Sequence, residues 1–564
     1  LAAEATRNHA PNKQMRGFVA HSGHSLYFPS MPPLDMFDMA VHGEALTPGI
    51  SDWMSMGGWR WDSHQAVAFS VAPYNAGARR YGEDFGKPPV SFPMMHCVWP
   101  STFRSYTQLA NQVKVISYWT YGPSYATTEG YWSDSPWMQR AASYTNNRAA
   151  QVDDLLADGR MRPSRVAMLY ARSSDYWRTD GASFADKRAA FLALSHVYYQ
   201  PELVTEEQVA AGALAHYDAV YVLDGWVSRA AQRAIADFAR GGGIVCTYAD
   251  AMSRDEYDEP TDWLADVAGI ARTYDESKPA ANLIRPVDKA LTFEPYTVHG
   301  ADRPSAVDAG GAQVRAAYDD GSPAWLEKTV GEGKVVYIAH RPGLTYTSKA
   351  MRRGGHPAAW ADTGREALAQ PLFDADVPRE LVISEPLIMA QPLTSDGGTL
   401  VVIYNMRTRA RNGLAVTLKM DEKPLSVQRF GGDDLTLVEQ PFEYANGVVT
   451  MPLDLKEAEA QMIVLRTKPA PVDDRIEQMQ QMTLAHLQSD DWETLSAGVW
   501  FASFFPQWEL AEQIRPLVQH EHWAVRRAAV EALGRLGDKS SGGMRSALLK
   551  GGAEGQRVDV RERR

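Results

Sequence analysis

A chain of 564 residues is too long for one hydrophobic core, so roughly three or four domains are expected. Apolar content of 45% and charged content of 22% are those of a globular protein, and a net charge of −12 argues against nucleic-acid binding and against docking on anionic membranes. The two cysteines, Cys97 and Cys246, each sit in an apolar run, which points away from a disulfide framework or a thiolate metal site.

No apolar run approaches the ~20 residues of a membrane span. The first residue is Leu rather than Met, the mark of a processed chain or a fragment, so cytoplasmic and secreted or periplasmic locations both stay open. Trp and Tyr are abundant, at 16 and 24, with many of them before residue 140. Aromatic faces stack on sugar rings, and they also fill large cores.

Residues 1–16 are polar and read as irregular. RGFVAHSGHSLYFPSMPP begins as a strand and runs into a His, Ser, Gly and Pro loop. Residues 34–49 read as a turn or strand ending at His42-Gly43-Glu44. The stretch 51–77 reads as helical in its second half, with Ser51 or Asp52 as N-cap. PPVSFPMMHCVW is a strand broken by proline, PSTFRSYTQLANQ a helix with Pro in its first turn, and VKVISYWTYGP a strand ending in an aromatic loop. A further amphipathic helix spans 135–159. Alternating strands and helices with long aromatic loops after the strands suit the later half of a (β/α)-barrel, where those loops carry the chemistry.

The span 165–250 is the clearest stretch. RVAMLY, YDAVYVLDGW and IVCTYAD read as buried strands, and SFADKRAAFLALSHV and SRAAQRAIADFARGGG as helices. Strand, helix, strand, helix, strand implies parallel pairing with helices on both faces. Asp224-Gly225 and Asp250 then fall at carboxyl ends of strands, where open α/β sheets bind ligands. Short strands occupy about 280–340, EGKVVYIAHRPG is a strand, and 356–373 reads as a helix.

From Arg379 the period becomes two. Six or more segments, among them GTLVVIYNMR, LAVTLKM and AEAQMIVLRT, predict antiparallel strands of a β-sandwich. KPAPVDD is a Pro-rich linker. Beyond it, ELAEQIRPLVQHEHWAVRRAAVEALGRLGD has the pattern of a HEAT repeat, which buries its faces only by stacking on its neighbours. The expected domains are 1–160, 161–378, 379–467 and 475–564.

Glycoside hydrolysis needs two carboxyl groups beside the scissile bond, about 5–5.5 Å apart for retention. Glu44, Asp52, Glu83, Asp84 and Glu129 are the available acids. Glu44 leads, beside His42-Gly43, with Asp52-Trp53 following; a solvated loop acid is the plainer alternative. Trp53, His96, Trp119 and Tyr121 would line a sugar site. His21 and His24 are three apart but lack companions of metal-site spacing, so no metal is expected. Gly241–Gly243 precede a strand, whereas a dinucleotide fingerprint follows one, so no cofactor is expected and the glycines stop a helix. A glutaminase needs a nucleophilic Cys at a strand-to-helix elbow; LDGWVS has none, and Cys246 lies inside a strand.

The segment YDAVYVLDGWVSRAAQRAIADFARGGGIVCTYAD resembles the trimerisation domain of family 42 β-galactosidases, a flavodoxin-like, amidotransferase-like domain without the nucleophile. VKVISYWTYGP looks like the last barrel strand of those enzymes, and the β domain after 380 is similar to theirs. The resemblance covers roughly 16–467 and leaves out the helical tail. It implies a multidomain α/β fold, a carbohydrate substrate and a homotrimer. The family places an acid/base Glu after an Asn at the fourth strand's end, and no Asn-Glu pair occurs here. Its nucleophile Glu ends the seventh strand, where VSFPMMHCVW offers His96 and no carboxylate. Glu44 falls nearer the sixth strand. Two functions therefore follow: a β-galactosidase-like glycoside hydrolase, or its C-terminal portion, with Glu44 and Asp52 as catalytic carboxylates; or a non-catalytic carbohydrate-binding scaffold whose tail recruits a protein partner.

Overall fold

The computed structural model describes residues 136–538 apart from short breaks, together with four strands and parts of 105–112 in the first 135 residues. Two compact units divide the chain. One comprises 1–429 with 439–468, the other 430–438 with 469–564.

The four early strands are β1 (Arg16–Val19), β2 (Thr47–Asp52), β3 (Val90–Pro93) and β4 (Val115–Ile116). They form one sheet in chain order, and every pairing is parallel. Parallel neighbours need a crossover between them, so the long intervening segments are a requirement of the pairing. Two expectations change here. Residues 51–52 extend β2, pairing Ser51 with Phe92 and Asp52 with Pro93, rather than capping a helix. The strand near Glu44 starts after it, at Thr47.

The helices Pro136–Gln151 and Asp153–Asp158 lead to β5 (Arg160–Met161). Buried Arg148 donates to the Tyr106 hydroxyl at 3.2 Å, tying the first of these helices to the segment before β4.

A nine-stranded sheet follows. Its parallel part is β6 (Val166–Tyr170), β7 (Glu202–Thr205), β8 (Ala219–Val222), β9 (Ile244–Tyr248) and β16 (Gly333–Ile338), in spatial order β7-β6-β8-β9-β16. Every residue of β6, β8 and β9 is buried, which explains their unbroken apolar runs: helices cover both faces. The helix Arg229–Arg240 shows how such a cover is built. Ser228 caps it, its oxygen accepting from the Ala231 amide, and Ala231, Ile235, Ala236 and Ala239 face the sheet. It ends at Gly241–Gly243, where Gly242 takes φ +111° and a Cβ on Gly243 would meet the Phe238 ring at 2.3 Å. The glycines are the helix stop that the sequence suggests. Strand β7 is short, and the helix Glu206–Ala210 follows it at once through a capping box, the Thr205 oxygen accepting from the Gln208 amide and the Gln208 side chain accepting from Thr205.

Between β9 and β16 the chain adds β10 (Ala271–Thr273), β11 (Leu283–Pro286), β12 (Tyr296–Thr297), β13 (Ala306–Asp308), β14 (Gln313–Tyr318) and β15 (Pro323–Val330). Strands β15, β14, β11 and β12 extend the sheet antiparallel beyond β16. The helix Asp362–Asp374 packs on the sheet, and the Tyr221 hydroxyl donates to its Leu368 carbonyl at 2.7 Å.

Of the next segments, Arg411–Lys419 and Val448–Leu455 alternate buried and exposed residues, while the strands Ile388–Ser395, Gly398–Asn405 and Ala460–Arg466 are buried along most or all of their length. β17 (Leu381–Ile383) and β20 (Arg411–Lys419) join Val448–Leu455 and Glu443–Ala445 in one antiparallel sheet. β18 (Ile388–Ser395), β19 (Gly398–Asn405) and β21 (Ser426–Phe430) join Ala460–Arg466 in another. Val401, Ile403, Ile463 and Leu465 share one core with Leu414, Val416, Val449 and Met451. β5 joins the sheet of β18 and β19, pairing Met161 with Leu393, and Arg466 holds Asp154 at 2.7 Å. The residues just before the nine-stranded sheet are thus anchored on this later pair of sheets.

The second unit is helical: Arg475–His486, Trp492–Ala502, Ala511–Ile514 and Trp523–Arg535, with 3₁₀ turns between. Leu495, Val499, Ile514, Val525, Ala529 and Leu533 are buried within it.

Candidate functional site

Parallel pairing puts the ends of β1–β4 on common edges. Val19, Asp52, Pro93 and Ile116 close their strands on the carboxyl edge. In chain order Trp53 follows β2, His96 follows β3, and Trp119 and Tyr121 follow β4. These four and Glu44 lie outside the described residues, and of Asp52 the backbone is described. Glu44 precedes the start of β2, on the amino side of its strand, so the strand-end position expected for it belongs to Asp52.

Of the carboxyl edge of the nine-stranded sheet, the strand ends and the residues that directly follow them are described. In space β6 lies between β7 and β8, all three parallel, so the direction in which successive strands are added to the sheet reverses at β6. Open α/β sheets bind ligands at such a reversal. Here an ion pair fills it. Lys187, on the helix Ala182–Ser195, reaches Asp224 at 2.8 Å, and both side chains are fully buried. The other Asp224 oxygen accepts from the Ala171 amide at 3.3 Å, and the Lys187 ammonium lies 4.5 Å from the centre of the Tyr170 ring.

A second group of charges continues the plug. Arg341, one turn past β16, holds Asp250 at 2.6 Å and faces Asp186 at 3.7 Å, and Arg178 holds the other Asp250 oxygen at 3.2 Å. Asp250 is presented by a tight turn with Ala249 at φ +42° and Met252 at φ +53°. Such backbone persists only when over-determined. The Ala249 carbonyl accepts from Tyr337 at 2.9 Å and from Arg272 at 3.0 Å, and the Ala249 amide donates to Ile338 at 2.9 Å. Asp186 is fully buried; desolvation raises its carboxyl to about 6 against the lowering pull of Arg341 and the backbone amides of Leu344 and Gly343. Glu206 is raised the same way by burial, while Ser173 and the Ser228 amide donate to it.

Three cations and three carboxylates thus neutralise one another where a ligand would sit. The elbow Asp224-Gly225-Trp226 carries no nucleophile. Cys246 is buried inside β9, its thiol pushed up to about 12 by desolvation, which withholds the thiolate that amidotransferase chemistry needs. Among the described residues no cluster of His, Cys, Asp and Glu could hold a metal ion. The sequence marked Asp224 and Asp250 as strand-end acids but not their partners. Lys187 sits in an ordinary helical pattern, and Arg341 arrives from about 90 residues away, so only the sheet order brings them together.

An open cleft of about 640 Å³ lies at the opposite, amino edge, lined by Tyr217, Phe238, Gly241–Gly243 and Asp376, with the Arg165–Asp218 pair at its mouth. Helices and strands present no switch point there, and Arg165 is already engaged.

Residues 481–562 match the family model for HEAT repeats. No curated protein matches the sequence. Among solved structures, the chain is similar to Gan42B, a GH42 beta-galactosidase from G. stearothermophilus, with TM-score 0.55, 16% identity, and cover of 77% of this chain and 61% of that one. The beta-galactosidase from Bacillus circulans sp. alkalophilus gives TM-score 0.53 at 15% identity over 77% and 62%. Alpha-L-fucosidase isoenzyme 2 from Paenibacillus thiaminolyticus gives 0.51 at 11% over 70% and 63%. At these identities the likeness shows a mixed α/β fold of the kind these glycoside hydrolases have. The chain spans less than two thirds of the length of each.

Proposed function

We propose that this chain is a glycoside hydrolase of the β-galactosidase-like type, or the later part of one, cleaving glycosidic bonds with two carboxylates. The observation that carries the reading is the fold shared with GH42 beta-galactosidases across 77% of the chain. On this reading 1–160 is the later half of a (β/α)-barrel, supported by four parallel strands in chain order. Residues 161–378 form a flavodoxin-like domain of trimerisation type; the order second-first-third-fourth-fifth of its parallel strands supports this. Residues 379–467 form a β-sandwich, supported by two sheets on one core. The substrate is a carbohydrate and the assembly a homotrimer.

The chemistry belongs to the carboxyl edge of β1–β4, because the edge of the second sheet is closed by its own charges. Asp52 is the better-placed carboxylate and Glu44 the other candidate. Trp53, His96, Trp119 and Tyr121 bind the sugar by stacking and hydrogen bonding. Release of nitrophenol from a panel of nitrophenyl glycosides tests this. Activity is expected on a galactoside, falling at least about 100-fold in Asp52→Asn. Activity unchanged in both Asp52→Asn and Glu44→Gln removes these carboxylates from the proposal.

The second reading, a non-catalytic carbohydrate-binding scaffold, is favoured by one sequence fact: no Asn-Glu pair occurs in residues 1–160. Binding of saccharide without turnover by this chain would select it.

A further inference from the structure

The helical unit carries an aromatic patch set among carboxylates. Trp492 and Trp523 are the first residues of the helices Trp492–Ala502 and Trp523–Arg535, following the N-caps Asp491 and His522, so they hold equivalent positions in successive repeats. Both are exposed, at 39% and 47%. His522 bridges them: its ring stacks on Trp492 at 3.9 Å and 27°, and lies 6.1 Å from the Trp523 ring. His520 fixes the approach by accepting the His522 amide at 3.0 Å. A single exposed Trp needs no explanation, but two at matched positions joined by a third ring form a surface.

Asp490, Asp491, Glu493 and Glu521 neighbour these tryptophans in the chain and are exposed. Asp491 accepts from the Thr494 hydroxyl at 2.6 Å and its amide at 2.9 Å, and these bonds hold its carboxyl below the usual range. Of the neighbouring cations, Arg527 pairs with Glu531 at 3.2 Å, while Arg526 donates to the backbone carbonyls of His520 and Glu521 and keeps its charge, so four carboxylates face one such guanidinium. The open indole faces, with carboxylates on neighbouring residues, attract a cation twice, through the ring quadrupole and through charge. A guanidinium fits best, being planar, weakly hydrated and able to stack while donating to a carboxylate.

We propose that this patch docks an arginine-bearing segment of a protein partner, its guanidinium groups lying over Trp492 and Trp523 and pairing with Glu493 and Glu521. The inference does not depend on the carbohydrate reading.

Fluorescence anisotropy of a fluorescein-labelled octa-arginine peptide, titrated with the whole chain at physiological salt, tests it; octa-glutamate is the control peptide. Octa-arginine is expected to bind and octa-glutamate not. Trp492→Ala with Trp523→Ala should weaken binding about tenfold, as should Glu493→Gln with Glu521→Gln. Asp421→Asn with Glu422→Gln, which removes two exposed charges from the other unit, should leave it within about twofold. If the alanine pair loses helix content by circular dichroism, Trp492→Leu with Trp523→Leu, which fills space without a ring face, takes its place and should weaken binding about tenfold. Three results overturn the proposal: undiminished binding in the folded alanine or leucine pair, equal weakening by the Asp421 and Glu422 changes, or a response of the indole fluorescence to neutral maltohexaose with none to octa-arginine.

Discussion

The ion pair Lys187–Asp224 makes the sharpest prediction about the second sheet. Both side chains are fully buried, and 2.8 Å separates the ammonium from the carboxylate. Replacing Lys187 by Met keeps the stem's volume but takes the ammonium away from the buried Asp224 carboxylate, with the Ala171 amide among its remaining donors. Breaking such a pair costs about 3–5 kcal/mol, because desolvation of the survivor is no longer offset. Replacing both partners by apolar groups, Lys187→Met with Asp224→Leu, removes the orphaned charge, so the double variant should lose less than the two single changes summed. Urea unfolding followed through the circular dichroism of the chain measures this, the transition of the unit holding 1–429 being compared across the four proteins. A loss below about 1 kcal/mol in Lys187→Met, or strictly additive losses, would refute the argument that the crevice is held shut by mutual neutralisation.

Asp186 should couple stability to pH. Its carboxyl is raised to about 6 from 3.8, so the folded state binds the proton more tightly. That contribution is complete below about pH 4 and is lost as pH rises through about 6, up to about 3 kcal/mol, a slope that Asp186→Asn should abolish in paired urea titrations. The Cys246 thiol, buried and pushed up to about 12, should resist Ellman's reagent in native Cys97→Ser protein and react once urea unfolds it; fast native labelling would contradict the burial. Gly343→Ala would set its Cβ 2.3 Å from the Asp186 carbonyl, so a loss of about 1–3 kcal/mol is expected in the same unfolding assay.

The readability of the sequence tracks what each element depends on. Strands β6, β8 and β9 were visible because burial on both faces demands unbroken apolar runs. The Gly241–Gly243 stop was visible because a helix end has local chemistry. Strand β7 was not: four residues that begin with Glu202 and end with Thr205 carry no period, and its place beside β6 is set by the crossover. The end of β2 was misjudged because Ser51-Asp52 also reads as an N-cap, and only pairing with Phe92 and Pro93 decides between them. That one shift moves the strand-end acid from Glu44 to Asp52. The buried charges of the second sheet were half legible, Asp224 and Asp250 from turn chemistry, but Lys187 and Arg341 only from topology.

Both functional readings require a sugar at the carboxyl edge of β1–β4, so calorimetric titration with a galactose-terminated oligosaccharide tests the account most directly. Saturable binding is expected, falling at least about tenfold in Asp52→Asn and in Trp119→Ala and unchanged in Glu259→Gln, an exposed acid beyond the nine-stranded sheet. Absence of binding, or binding untouched by either change at the first sheet, would contradict it.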